Sequence, residues 1–243
     1  MALPIRQDGP DGAPTIALVH AAGTSSVAWE PLIPPLPAMC GLRPDLPRHG
    51  HARTTRWSTL EAVAQQVLHA LDERATHLAG VSLGAYVALH MLRLAPTRFE
   101  TAVLSGIHPG GMPNRGMMKL ASAVMSLALS RPGAARRNAE MLQIPEHQQA
   151  AHIAAARMTK GRAFRRATND VVEFELPGGL DRVTTRVTIA AGGKEHPLIR
   201  DGAKVLAKAF PHAQTYVAEG LGHAWPSQDP AQFASLLRAA SGT

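Results

Sequence analysis

Apolar residues along this chain recur with two different spacings. Short unbroken apolar runs at residues 15–19, 76–81, 101–105, 186–191 and 214–218 read as buried strands. Between them lie longer stretches with helical spacing. In residues 58–74 the positions Leu60, Val63, Ala64, Val67, Leu68 and Leu71 form one apolar stripe, and Ser58 with Glu61 reads as a capping box. Residues 83–95 are apolar on nearly every face and stop at Pro96, which marks a buried helix. Further helices are expected at 197–209 and 229–239, a possible edge strand at 2–7, and a short proline-broken helix start at 29–36. Short apolar strands alternating with helices predict an α/β fold: a mostly parallel central sheet covered by helices on both faces.

The alternation stops after residue 107. From 109 to 178 the pattern is helical only, rich in alanine and in Met112, Met117, Met118, Met125, Met141 and Met158. This stretch is expected to be a helical insertion into a core formed by residues 1–108 and 179–243. Its methionines suggest an adaptable apolar pocket lining, or simple packing.

Composition narrows the picture only slightly. The 243 residues suffice for one large domain, and the formal charge of +7 is scattered. One basic cluster, Arg157, Lys160, Arg162, Arg165 and Arg166, reads as a solvated helix face, and no nucleic-acid motif accompanies it. With Cys40 the sole cysteine, no intrachain disulfide is possible. The first residues lack the apolar core of a signal peptide, and no apolar run is long enough to span a bilayer. A cytoplasmic protein is expected.

Candidate chemistry centres on Leu78-Ala79-Gly80-Val81-Ser82-Leu83-Gly84-Ala85. A serine between two glycines, after a strand and before a helix, is the pattern of a nucleophile elbow, where tight packing demands small neighbours. A serine nucleophile needs a base. His223, in a glycine-loosened loop past the last strand, stands at the same carboxyl edge as Ser82; His108 is the runner-up. His20 reads as holding its own loop, and His49, His51, His77, His147, His152 and His212 as surface or turn residues. The base needs an acid to orient it. Glu195 follows directly on a strand, whereas Asp170, Asp181 and Asp201 do not. For the oxyanion, the expected backbone donors are Leu83, opening the elbow helix, and Ala22 in the small-residue loop 20–23.

Taken in order, these segments resemble the α/β-hydrolase fold family, in its small single-domain branch with a helical cap. The resemblance rests on Leu18-Val19-His20-Ala21-Ala22-Gly23 with Trp29, on Pro44-Asp45-Leu46-Pro47-Arg48-His49-Gly50-His51, on Gly80 to Gly84, on Gly192 to Glu195 and on Gly222-His223. Three features depart from the family pattern. Ala21 and Arg48 stand where glycines are usual, Glu195 stands where most relatives have Asp, and the short lead before residue 15 implies that the family's first strand is missing. The serine at position 82 sets aside the family branches that use Asp there. The resemblance implies a hydrolase that cleaves a small carboxylic ester, thioester or lactone through an acyl-serine intermediate, on a substrate with an apolar acyl part. Carbon–carbon bond hydrolysis or elimination with the same residues is the alternative enzyme reading, and a ligand receptor with a slow triad is the non-enzymatic one. None of these needs a cofactor or a metal.

Overall fold

The computed structural model describes residues 2–128, 131–159 and 161–242. Seven strands form one sheet: β1 (Ile5–Asp8), β2 (Thr15–Val19), β3 (Cys40–Pro44), β4 (Ala75–Val81), β5 (Thr101–Ser105), β6 (Arg186–Gly192) and β7 (Ala213–Ala218). Their order across the sheet is β1-β3-β2-β4-β5-β6-β7. Only β1 runs antiparallel, on the edge against β3. There Asp8 pairs with the buried Arg43 of β3, whose guanidinium also donates to the Ser26 carbonyl at 3.0 Å.

Because strand side chains alternate, each inner strand feeds two cores. Ala17 and Val19 of β2, Leu78 of β4, and Ala102 and Leu104 of β5 pack on one face. That face is covered by α1 (Leu60–Ala70), α2 (Leu83–Leu94) and α7 (Pro197–Ala207). Ile16, Leu18, Ala79, Val81 and Val103 pack on the other, against Trp29, Phe233 and Leu237. The Trp29 and Phe233 rings stack there at 5.8 Å, joining the 3-10 turn Ser26–Leu32 to the last helix. Both faces are covered, so the inner strands are apolar throughout rather than alternating in polarity.

Among the described residues, four helices stand between β5 and β6: α3 (Arg115–Ala128), α4 (Pro132–Met141), α5 (Glu146–Met158) and α6 (Gly161–Val172). Two helices, α8 (Trp225–Gln228) and α9 (Pro230–Ser241), close the chain. Some sequence expectations need correction. The helix expected at 58–74 is shorter, and Thr59 rather than Ser58 caps it, its hydroxyl accepting the Ala62 N–H at 3.2 Å. The possible edge strand at 2–7 forms at Ile5–Asp8. In the basic cluster, Arg157, Arg162, Arg165 and Arg166 are exposed, while Lys160 lies outside the described residues.

Candidate active site

The chain direction reverses across the sheet after β2: β3 lies on one side of it and β4 on the other. A parallel sheet opens a crevice at the carboxyl ends of its strands where such a reversal occurs. The loops after β2, β4, β5, β6 and β7 all end at that edge.

Ser82 directly follows β4, with φ 53° and ψ −121°, and its N–H donates to the Ser105 carbonyl of β5 at 2.8 Å. A side chain at positive φ costs on the order of 1–3 kcal/mol, so the surrounding packing must hold it there. The two flanking glycines show how. A methyl group on Gly80 would overlap the Gly84 carbonyl oxygen, and one on Gly84 would overlap the Val19 carbonyl oxygen. The start of α2 is thereby pressed onto the end of β2, which brings residues 20–24 beside Ser82. Ser82, His20, Ala21, Ala22, Gly23, Thr24 and His223 line one cavity of about 250 Å³.

The loop after β2 is held from below. His20 is fully buried; its Nδ1–H donates to the Ala21 carbonyl at 2.9 Å and its Nε2 accepts the Leu46 N–H at 3.0 Å. Burial keeps its pKa low, so the ring is a neutral bracket. Next to it, Asp45 accepts N–H bonds from Ser26 at 2.7 Å and His51 at 2.8 Å. Burial works against its charge, but these donors outweigh burial and hold its pKa below the usual value. Ala22 lines the cavity; Leu83 opens α2, where the first N–H groups have no acceptor within the helix, and its side chain is buried in the core. Arg48 takes up the glycine-like conformation its position demands, with φ 69°.

His223 and Glu195 come from the loops after β7 and β6. These loops nearly touch, since a methyl group on Gly192 would overlap the Gly222 carbonyl oxygen. His223 Nδ1–H donates to Glu195 Oε1, and Glu195 Oε2 accepts the Gly192 N–H at 2.6 Å. The Glu195 side chain is 2 % exposed. A buried carboxylate holding Nδ1–H leaves Nε2 of the ring as the nitrogen able to take a proton. The other candidates are elsewhere. His108 turns its Nδ1 to the Leu198 carbonyl at 3.1 Å and does not line the cavity. Asp170 accepts from the Trp57 indole at 2.8 Å, Asp201 faces Lys204 at 3.8 Å, and Asp181 lies in a 3-10 turn.

A family model, alpha/beta hydrolase family, matches residues 16–236. The chain belongs to the alpha/beta hydrolase family. Solved structures of this fold superpose over nearly the whole chain. An enol-lactonase from Burkholderia xenovorans aligns with a TM-score of 0.83 at 19% identity, covering 99% of this chain and 96% of that one. A hydrolase from Pseudomonas aeruginosa aligns with a TM-score of 0.81 at 22% identity, covering 98% and 94%. Likeness at those identities concerns the fold alone. Among curated relatives, a pimeloyl-[acyl-carrier protein] methyl ester esterase from Methylococcus capsulatus is 40% identical over 84 residues, 34% of this chain and a third of that protein (33%). Mouse monoacylglycerol lipase ABHD6 is 25% identical over 94% of this chain and 75% of its own length.

Several residues around this cavity escaped the sequence reading. Gly106, directly after β5, has φ +69°, and a methyl group there would stand 2.8 Å from the His223 ring and 3.4 Å from the Glu195 carboxylate. Its position just past a strand was a signal available in the sequence. Trp225 donates its indole N–H to the Ser105 hydroxyl at 2.7 Å, tying the His223 loop to the end of β5. Gln228 accepts the Gly222 N–H at 2.8 Å and donates to the Leu142 carbonyl at 2.8 Å, joining the His223 loop to the inserted helices. Those helices and the link between α4 and α5 add Asn138, Leu142, Ile144, His152, Phe164 and Thr168 to the cavity wall. Among the described residues no methionine lines it; Met117, Met125 and Met141 border a separate apolar groove on the surface. His49, expected in a turn or at the surface, is buried between the His20 and Trp57 rings, and His77 is buried against the Thr101 hydroxyl at 2.8 Å. Among the described residues, no helix is long and apolar enough to cross a membrane, and no group of three or more His, Cys, Asp or Glu side chains could hold a metal ion.

Proposed function

We propose that the protein hydrolyses a carboxylic ester with an apolar acyl part through an acyl-serine intermediate. The observation that carries this reading is one cavity shared by Ser82, held at positive φ, and His223, whose ring is bonded to a buried carboxylate. In the first step the Ser82 hydroxyl attacks the ester carbonyl carbon while His223 Nε2 takes its proton. The carbonyl oxygen becomes an oxyanion facing the Leu83 and Ala22 N–H groups, and Glu195 stabilises the imidazolium. Collapse of that intermediate breaks the bond to the alcohol, which leaves with the proton returned by His223. Water, deprotonated by the same nitrogen, then attacks the acyl carbon and frees the acid and Ser82. The inserted segment acts as the cap that shapes the acyl side, through Leu142 and Ile144 of the link between α4 and α5 and through Phe164 of α6. The two curated relatives are by name an esterase and a lipase, which favours an ester over a carbon–carbon bond.

The test is intact-mass analysis after reaction with a fluorophosphonate, alongside turnover of simple aryl esters. Wild type should gain one phosphonyl adduct, and Ser82→Ala should gain none while its turnover falls by roughly 10⁶-fold. An adduct on the alanine variant would remove Ser82 from the role. Stoichiometric retention of an ester fragment without turnover would favour a receptor.

A further inference from the structure

A second cavity, of about 170 Å³, adjoins the first between α5 and the 3-10 turn at residues 26–32. Thr24, Ala28, Ile144, His152 and Ser227 line both. Small-molecule sites occupy roughly 300–1,000 Å³. Neither cavity reaches that range alone, and the two taken together do.

His152 stands in the wall they share. Its Nε2 lies 3.5 Å from the Asn138 carboxamide nitrogen; with Nε2 accepting from that amide, the ring proton sits on Nδ1. The ring makes no other hydrogen bond among the described residues. Burial lowers its pKa, so it stays neutral at pH 7. Around it the first cavity is largely apolar, with Ala22, Leu142, Ile144 and Phe164. A ring N–H in such a wall, once a ligand excludes water, must find an acceptor on that ligand or lose its hydration uncompensated. Among the described residues, no lysine or arginine lines the second cavity to hold an anionic arm, and its one carboxylate, Glu30, is paired with Arg6 at 3.1 Å.

We propose that the two cavities form one bent substrate site, in which His152 at the bend selects esters carrying a neutral oxygen acceptor on the arm that enters the second cavity. This rests on Ser82 as the nucleophile. An ether, hydroxyl or carbonyl oxygen meets the requirement, and it can belong to the acyl or to the alcohol part of the ester.

Two isosteric pairs separate these sources, each exchanging one methylene for oxygen. The first is 4-nitrophenyl heptanoate against 4-nitrophenyl 5-methoxypentanoate, and the second is butyl hexanoate against 2-methoxyethyl hexanoate. Wild type should favour the ether member of at least one pair by about 3- to 10-fold in kcat/KM, the range of one net hydrogen bond. The pair that responds assigns the arm. His152→Leu should bring that ratio to within about twofold of unity, and His152→Gln, which keeps an N–H donor, should restore part of it. Should the leucine variant fail to fold, Ala151→Phe fills the second cavity from α5 and should erase the same preference. Equal rates within both pairs for wild type, or a preference that survives His152→Leu or Ala151→Phe, would overturn the proposal. Fluorophosphonate labelling of the same samples reads the nucleophile separately: a wild type labelled at Ser82 but blind to both pairs defeats this proposal and leaves Ser82 in place.

Discussion

At the carboxyl edge of the sheet, Gly80, Gly84, Gly106 and Gly192 each stand where a methyl group would run into backbone or into His223. In the inserted helices, Gly116 and Gly133 have nothing within 4 Å, and only Gly161 is pressed against a neighbour, the Ser126 carbonyl. Side chains repeat the contrast. Ala17, Leu18, Val19, Ala79 and Leu104 are fully buried, while Met117, Leu120, Val124, Leu127 and Met141 of α3 and α4 are largely exposed. Both regions wall the same cavity, but the sheet edge sets atomic positions and the helices set shape. The difference is one of packing density: a close-packed interior transmits the loss or gain of a single methyl group, whereas a loosely covered layer absorbs it.

That contrast can be pressed hardest at Glu195. Glu195→Gln preserves shape but favours the wrong tautomer of His223, and turnover should fall by about 10⁴-fold with binding little changed. Steady-state kinetics with an aryl ester checks this, and a loss under about threefold would show that Glu195 is only a turn residue. Next comes Gly106→Ala, which intrudes on the His223–Glu195 pair without touching either side chain chemically. Its kcat/KM should drop by roughly 10²-fold, the scale of a misplacement of about 1 Å. Near-normal kinetics would mean that the pair tolerates displacement and that the sheet edge is no stricter than the helices.

Acid should test the core as a whole. Burial lowers the pKa of His49 to about 3 and that of His90 to about 4, from an ordinary value of 6.5. Between those limits the unfolded chain binds protons that the folded one refuses. Their contribution to stability is therefore complete above pH 6.5 and is lost as pH falls toward 3–4, by about 2 kcal/mol for each at pH 5. Urea unfolding at pH 7.5 and at pH 5 measures it, and equal stabilities would contradict the neutral burial of both rings. The smallest effect belongs to the inserted helices. Leu120 is 65% exposed, so Leu120→Gln should change stability by no more than about 0.5 kcal/mol in the same assay. A loss of several kcal/mol would show that α3 is as tightly built as the sheet.

Much of this architecture was legible from residues one to four apart. The spacing of Gly80, Ser82 and Gly84 encodes a turn so tight that only small neighbours fit, and the apolar runs at 15–19 and 101–105 encode strands covered on both faces. The cap of α1 was missed by one residue, because Ser58 and Thr59 offer the same hydroxyl and only the entry angle of the chain decides between them. His49 sits in a turn as expected, but its burial went unread because it comes from the rings of His20 and Trp57, neither adjacent in sequence.

By itself, the sequence determined what neighbouring atoms enforce: the strained turn at Ser82, the strands on either side of it, the chain order of Ser82, Glu195 and His223, and the place where alternation gives way to helices. Tertiary structure alone decided how close those groups stand and what else surrounds them. It placed Gly106 under the His223 ring, tied Trp225 to Ser105 across 120 residues, and carried His152 of α5 into the wall of a cavity also lined by the loop after β2 and the end of β4. The reason is physical. A local turn is governed by sterics within a few bonds and leaves its mark on composition, whereas a contact between distant segments depends on how whole layers pack, which no short stretch of the chain encodes.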